Sequence, residues 1–360
     1  MRSGVSFPGR AIPSWAGDPA GPGGTRRDPL ATAMAKPPPR ITVQHRVEYA
    51  AMRTMFAALR LVGWHAASSI GARVGQLGFW PFGIRRALVE RHIATCFPEF
   101  TPADVRRTAI ESYQHLGRIA VETALLSGEG PDSVFDRFEP CDCWDVVTDA
   151  IAEGAGLIII SGHFGNWELA GAYLGARMMA NGSGFDVIVR RQGNPLFDSY
   201  LYRTRQRIGM TVVHDADAVR RTPRSLRAGR GMGFMIDQGV IGLASTFVPF
   251  FGRLAKTPRG MAVFALRFGT PVVFVSAIRQ PTGKFRLAFE RVPVHPTGDR
   301  EFDVDTIVGN CTAVLERHVR RTPGQYFWQH RRWKHDPPPG TVWPPVHDRG
   351  GAPSTGGAVP

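Results

Sequence analysis

Cysteine is scarce in this chain, four residues in 360. Cys96, Cys141, Cys143 and Cys311 form no C-x-x-C pair, which excludes the usual structural zinc arrangements and a small disulfide scaffold. Ordinary reduced thiols in a cytosol-facing protein are what so sparse a set implies. The eleven histidines contain no H-E-x-x-H or similar chelating spacing, so no metal is expected. Long apolar runs are missing as well. The longest stretch free of Asp, Glu, Lys and Arg is residues 238–252, fifteen residues, short of the roughly 18–20 needed to span a bilayer. The N-terminus carries arginines without the continuous apolar core of a secretion signal. Membrane attachment, if present, is expected to be peripheral or monotopic.

Acidic residues are also in deficit, 30 Asp and Glu against 44 Lys and Arg, a formal charge of +14. Such a balance favours anionic partners: nucleic acid, anionic lipid headgroups, phosphorylated substrates or an acidic carrier protein. No nucleic-acid-binding signature accompanies the charge, so nucleic acid is not the expected partner. Hydrophobic residues make up 43% of the chain, enough for a real core.

Composition divides the chain. Residues 1–44 are rich in Pro, Gly, Arg and Ala and develop no apolar period; they are expected to be a disordered extension, and Met34 would also serve as a start. Residues 45–130 are expected to form a helical, membrane-associating region. From Val47 to Phe82 the sequence is apolar with spaced arginines, which fits a helix lying in a membrane interface or a buried helix pair. Thr101-Pro102 opens an amphipathic helix over 102–126. Residues 131–335 alternate strand and helix patterns, which predicts a layered α/β domain. Its first strand is Leu157-Ile158-Ile159-Ile160, a continuous apolar run suited to burial on both faces. Thr257-Pro258 reads as the N-cap and first residue of a helix ending at Gly269, and Pro281-Thr282-Gly283 as the turn of a hairpin. Residues 336–360 are expected to be a disordered tail.

The sharpest local feature is Ser161-Gly162-His163-Phe164-Gly165-Asn166-Trp167-Glu168, where the buried strand stops and a helix starts. In open α/β sheets that edge is where ligands bind. A histidine there can take a proton from an alcohol, while a carboxylate on its other ring nitrogen fixes the tautomer. His163 and Glu168 are the candidate pair; on spacing alone they fit equally a capping histidine with a carboxylate at a helix N-terminus. Arg190 and Asn194 follow a second strand and Asp237 a third. Arg190 can bind a phosphate or steady an oxyanion. Asp237 can orient a histidine or bind a sugar hydroxyl, or the two can form a structural ion pair. Phe247–Gly252 can line an acyl groove or fill core. Arg331, Arg332, Trp333 and Lys334 mix cations with an aromatic, as a headgroup or membrane contact does.

In order, Cys96-Phe97-Pro98-Glu99, His163 to Glu168, Arg190 with Asn194, Asp237-Gln238, Val248 to Gly252 with Thr257, and Gln325-Tyr326 with His330 to Lys334 resemble the late acyltransferases of lipid A biosynthesis, the lauroyl and myristoyl transferase family. The resemblance covers roughly residues 45–335. It implies a glycerol-phosphate-acyltransferase-like mixed sheet flanked by helices, working at the cytoplasmic face of the inner membrane. It implies transfer of a fatty acyl chain from acyl carrier protein, or acyl-coenzyme A, to a hydroxyl of an anionic lipid A precursor, with no further cofactor. By the same resemblance His163 is the general base, Glu168 its partner, and Arg190, Asn194, Asp237, Asn166 and Gly165 are supporting residues. Phosphatidylinositol mannoside acyltransferases resemble the same family but carry His-x4-Asp, so Glu168 favours lipid A as the acceptor.

Overall fold

The computed structural model describes residues 40–141, 143–239 and 244–345. Most of the expected N-terminal extension, residues 1–39, and residues 346–360 of the expected tail lie outside the described residues.

Four helices come first: α1 (Val43–Leu61), α2 (Trp64–Phe79), α3 (Arg86–Cys96) and α4 (Pro102–Leu126). The apolar stretch from Val47 to Phe82 is thus two helices, broken where Gly63 takes φ +78. α4 begins as expected: Thr101 caps it, Asp104 completes the reciprocal capping box, and Pro102 occupies the first turn. α2 and α4 cross at very short range. A Cβ on Gly75 would lie 2.1 Å from the Tyr113 carbonyl oxygen, and one on Gly117 2.0 Å from that of Gly71. Only glycine permits this approach. No helix among the described residues is long and apolar enough to cross a membrane.

After the short helices α5 (Pro131–Phe135) and α6 (Asp145–Ala152), strands and helices alternate. They are β1 (Leu157–Ser161), α7 (Trp167–Ala180), β2 (Phe185–Val189), α8 (Pro195–Arg207), β3 (Met210–His214), α9 (Ala218–Arg227) and β4 (Gly231–Met235). A separate hairpin, β5 (Ser245–Phe250) with β6 (Arg253–Pro258), precedes α10 (Gly260–Phe268), β7 (Val272–Arg279), β8 (Phe285–Val292) and α11 (Arg300–Arg321). The main sheet has the order β3-β2-β4-β1-β7-β8. Its first five strands are parallel and β8 runs antiparallel to β7. The expected mixed sheet flanked by helices is therefore what forms. β1, all five residues buried, lies between β4 and β7, as its unbroken apolar run demands.

Three local expectations need correction or completion. Thr257 and Pro258 do not cap α10; they end β6, and α10 begins at Gly260. Thr257 is β-branched and fully buried, and Pro258 closes a hairpin strand where no further ladder bond is needed. The other end of that helix is as expected, with Gly269 at φ +61. Within Phe247–Gly252, Val248, Phe250 and Phe251 are buried and fill core, while Phe247 and Pro249 are half-buried and Gly252 is exposed. Of the expected tail, residues 336–345 are described, and Trp343 lies against α11 where Gly309 leaves room for its ring.

Candidate active site

The parallel register of β1 and β4 builds the site. Ser161 stands opposite Met235, so the residues two places beyond each strand, His163 and Asp237, emerge side by side at the carboxyl edge of the sheet. Asp237 binds His163 twice. The His163 amide donates to Oδ2 at 2.8 Å, and Nδ1 lies 2.8 Å from Oδ1. Asp237 is only 3% exposed, so the contact is well shielded from water. A carboxylate only accepts, so in the neutral ring Nδ1 carries the hydrogen and Nε2 presents its lone pair. Among the described residues Nε2 has no hydrogen-bond partner. Trp167 meets the imidazole edge-on at 4.9 Å, with Phe327 at 6.0 Å.

Burial alone would lower the pKa of His163, but the charge and hydrogen bond of Asp237, with a smaller pull from Glu168, raise it above its ordinary 6.5. Asp237 mirrors this. Burial pushes it up, yet the charge and bonds of His163, with Arg332 adding to them, hold it below 3.8. Both shifts favour the charged pair. The stability this gives is full between those two ordinary values. It is lost as pH rises through the raised histidine pKa or falls through the lowered aspartate one.

Glu168 does not touch His163. Its carboxylate is held by Arg205 of α8, at 2.8 Å from Nη2 and 3.4 Å from Nε. It stands in the first turn of α7, where the side chain of α8 reaches it and the His163 ring does not. The expected ring partner is thus replaced by Asp237, and Glu168 acts on the histidine through its field alone. Glu168 and Arg205 also line a narrow cavity of about 100 Å³ between α7 and the sheet, whose other walls include Ser161, Trp167, Leu174 and Met210.

The remaining candidates divide. Asn166 caps α7, its side-chain oxygen accepting from the Leu169 amide. Gly165 takes φ +56, and a Cβ there would lie 2.3 Å from the Ala277 carbonyl oxygen, so both are framework of the histidine loop. Asn194 caps α8 and donates to the His45 carbonyl and to Glu48 on α1. Arg190 is exposed and pairs with Asp215 at 3.6 Å, not with Asp237. It sits just past β2, two strands or about 10 Å across the sheet from the histidine. The basic segment near the C-terminus splits too. Arg331 and Lys334 are exposed, but Arg332 is 4% exposed, its guanidinium donating to the Lys256 carbonyl and Thr257 hydroxyl at 2.6 Å each. Trp333 stacks on Phe250 at 5.9 Å and meets His92 edge-on. These two turn inward because they seal the core behind Asp237, so only Arg331 and Lys334 face outward as a headgroup contact requires.

Several residues to which the sequence reading gives no role hold the site together. Tyr326 is buried, hydrogen-bonds Asp237, and has its own pKa pushed well above 10 by burial. His330 stands close enough to feel both His163 and Asp237, and burial lowers its pKa to about 4, so it is neutral near pH 7. The inner stripe of α4 is polar. Ser112 donates to the Tyr326 carbonyl at 2.7 Å, His115 lies buried by the Gly165 backbone, and Glu122 accepts from Asn166 at 2.7 Å and Ser68 at 2.5 Å. Glu122 is fully buried, and both its oxygens meet Arg279 at 2.5–2.6 Å. The sequence carried one signal for this. Thr108, Ser112, His115 and Glu122 recur at helical spacing among apolar neighbours, where a purely structural helix would be apolar.

The loop spends its own amides on this framework. His163 donates to Asp237, Phe164 to the Gly162 carbonyl, Gly165 to Gln325 and Asn166 to Ala277. The arrangement is a base-competent imidazole, oriented by a buried carboxylate, beside the N-terminus of a helix and a slot with apolar walls.

Comparison with known proteins bears on what that machinery acts upon. The family described as bacterial lipid A biosynthesis acyltransferase matches residues 40–335. Among curated relatives, the lipid A biosynthesis lauroyltransferase of Escherichia coli K12 is 26% identical over 270 residues, covering 74% of this chain and 85% of that protein. The lipid A biosynthesis palmitoleoyltransferase of the same organism is 25% identical over 274 residues, with the same coverage. Its lipid A biosynthesis myristoyltransferase is 24% identical over 275 residues, 72% of this chain and 77% of that protein.

Proposed function

The chain belongs to the bacterial lipid A biosynthesis acyltransferase family and is an acyltransferase of that pathway; from that premise we propose that it moves a fatty acyl chain from acyl carrier protein or acyl-coenzyme A to a hydroxyl of a lipid A precursor. One observation carries the proposal: the 2.8 Å contact between His163 Nδ1 and buried Asp237, which leaves Nε2 as a lone-pair base. As the acceptor oxygen attacks the thioester carbonyl, Nε2 takes its proton. The tetrahedral intermediate then collapses, the carbon–sulfur bond breaks, and the proton passes to the leaving thiolate. A thioester is already activated, so no serine or cysteine nucleophile is required.

The oxyanion needs donors. The loop amides are engaged internally and Arg190 is drawn to Asp215. Among the described residues the amides of Trp167 and Glu168, in the open first turn of α7, have no hydrogen-bond partner, and they have the polarity the role demands. Glu168, fixed by Arg205, keeps that turn in register and adds to the field on His163. The cavity beside them suits the start of an acyl chain.

The enzyme works at a membrane surface, in this reading the cytoplasmic face of the inner membrane. Twelve of the fifteen large apolar side chains exposed on the described surface fall between Ile41 and Ile84, with Trp80 and Phe82 about 70% exposed. So dense a set on two helices and the loop after them fits insertion into an interface. The test is an acceptor panel: labelled acyl-acyl carrier protein, membranes, and either a lipid A precursor or a phosphatidylinositol mannoside. Label in the lipid A precursor is expected. Label only in the mannoside would move the enzyme to another glycolipid.

A further inference from the structure

Well apart from His163 in sequence, α1, the end of α4 and α8 enclose a cleft of about 550 Å³. Arg53, Arg60, Arg203 and Arg207 line it with Tyr49 and Tyr200, and among the described residues no acidic one is in its walls. All four arginines are exposed. Among the described residues their bonds go to neutral groups only: Arg53 to the Tyr49 hydroxyl at 3.2 Å, Arg60 to the hydroxyls of Ser127 and Tyr200, Arg203 to the Ser199 carbonyl at 3.2 Å, and Arg207 to the Ser127 carbonyl at 2.7 Å. Each guanidinium has five donors, and these bonds engage only one or two of them.

Such a cluster is not the ordinary fate of arginine on this protein. On the same helix, Arg205 turns to the other side and meets Glu168, whereas Arg203 and Arg207, one turn apart, share the face that lines the cleft. Four like charges held around one space repel one another unless an anion joins them. Room is kept for them as well: a Cβ on Gly128 would lie 2.9 Å from Arg60 Nε. The helix that supplies Arg53 and Arg60 also carries exposed Met55 and Leu61, the latter 89% exposed. The helix that lines the cleft thus also carries part of the exposed apolar set.

We propose that this four-arginine cleft binds a phosphate monoester, the headgroup phosphate of the acceptor glycolipid, and so anchors the acceptor while its hydroxyl reaches His163. The proposal rests on the acyl-transfer reading for the identity of the ligand, but not for the anion site itself. Planar guanidinium forks match phosphate oxygens two at a time, and several of them grip a dianion that one lysine would not.

The test uses the full chain and the double variant Arg203→Gln/Arg207→Gln, with thermal melting to verify that both fold alike. Inorganic pyrophosphate is titrated calorimetrically into each. The wild type should bind it, with affinity falling as salt rises, and the variant should bind it at least ~10-fold more weakly, the scale of losing one or two charge-assisted hydrogen bonds in a solvated site. Equal binding by both proteins, or none by the wild type, overturns the anion site whatever the reaction proves to be. Transfer kinetics then assign the source. A rise of about 10-fold in KM for a phosphorylated acceptor, with unchanged kcat and no change for its dephosphorylated form, identifies the acceptor phosphate. A rise in KM for acyl-coenzyme A instead keeps the anion site and assigns it to the donor. Unchanged KM for both overturns the proposal.

Discussion

Replacing Asp237 by Asn is the perturbation with the most to say about the site. The side chain keeps its size but loses its charge, and only one of its two heads can still accept. Asp237 now accepts from both the His163 amide and Nδ1, each at 2.8 Å. An Asn whose oxygen serves the amide turns its NH2 towards Nδ1, which drives the ring hydrogen to Nε2 and removes the lone pair that abstracts the acceptor proton. General-base catalysis is worth about 100- to 10,000-fold, so kcat/KM should fall within that range. The acid limb should move as well. His163 acts as a base only when neutral, so activity is lost as pH falls through its pKa, which in the native enzyme lies above 6.5. Removing Asp237 leaves burial to dominate, and the acid limb of the residual activity should shift to lower pH. Glu168→Gln, which removes the smaller field effect, should shift it the same way but less. The assay is steady-state transfer across pH with a soluble acyl donor. Turnover of the Asn variant within 10-fold of wild type, with an unmoved acid limb, would refute the assignment of Asp237 and return Glu168 to the role of ring partner.

Glu122→Ala should destabilise the fold by ~3–5 kcal/mol, because it strands the Arg279 guanidinium, itself only 14% exposed, without its carboxylate; chemical denaturation measures it. Gly165→Ala should cost ~1–3 kcal/mol from the positive φ alone, more from the clash with Ala277, and should lower kcat by moving the histidine loop; a melting curve beside a turnover assay tests both. Trp80→Ser with Phe82→Ser should leave melting unchanged, since both side chains are mostly exposed, yet weaken flotation with anionic vesicles at least ~10-fold through lost apolar burial. Undiminished flotation would move the membrane contact away from residues 41–84.

The amino-acid pattern was informative where structure is local. β1 announced itself because four consecutive branched or long apolar residues can only be buried on both faces, and α4 because Thr101, Pro102 and Asp104 make a start signal no loop imitates. His163 was legible for the same reason, standing just after a buried strand. Its carboxylate was legible only as an option: Asp237 can orient a histidine, but nothing local chose it over Glu168. Glu168 lies five residues away along the chain and drew the eye, whereas Asp237 lies 74 residues on and reaches the histidine only through the pairing of β1 with β4. That pairing skips β2 and β3, and nothing within either strand specifies it. Glu122 and Arg279, 157 residues apart, were hidden likewise. Arg332 misled because its aromatic and basic neighbours fit a surface patch, while its burial follows from a bond to Thr257 on a hairpin that the Thr-Pro pair disguised as a helix start.

The central claim, a histidine-based acyl transfer to a lipid A precursor, is met most directly by mass spectrometry of the acceptor after incubation with acyl-acyl carrier protein and either wild-type enzyme or His163→Ala. The account predicts a mass gain of one acyl chain with the wild type and a rate at least ~100-fold lower with the variant. An equal gain with both proteins would remove His163 from the chemistry, and no gain with the wild type on this acceptor would contradict the assignment of lipid A as the substrate.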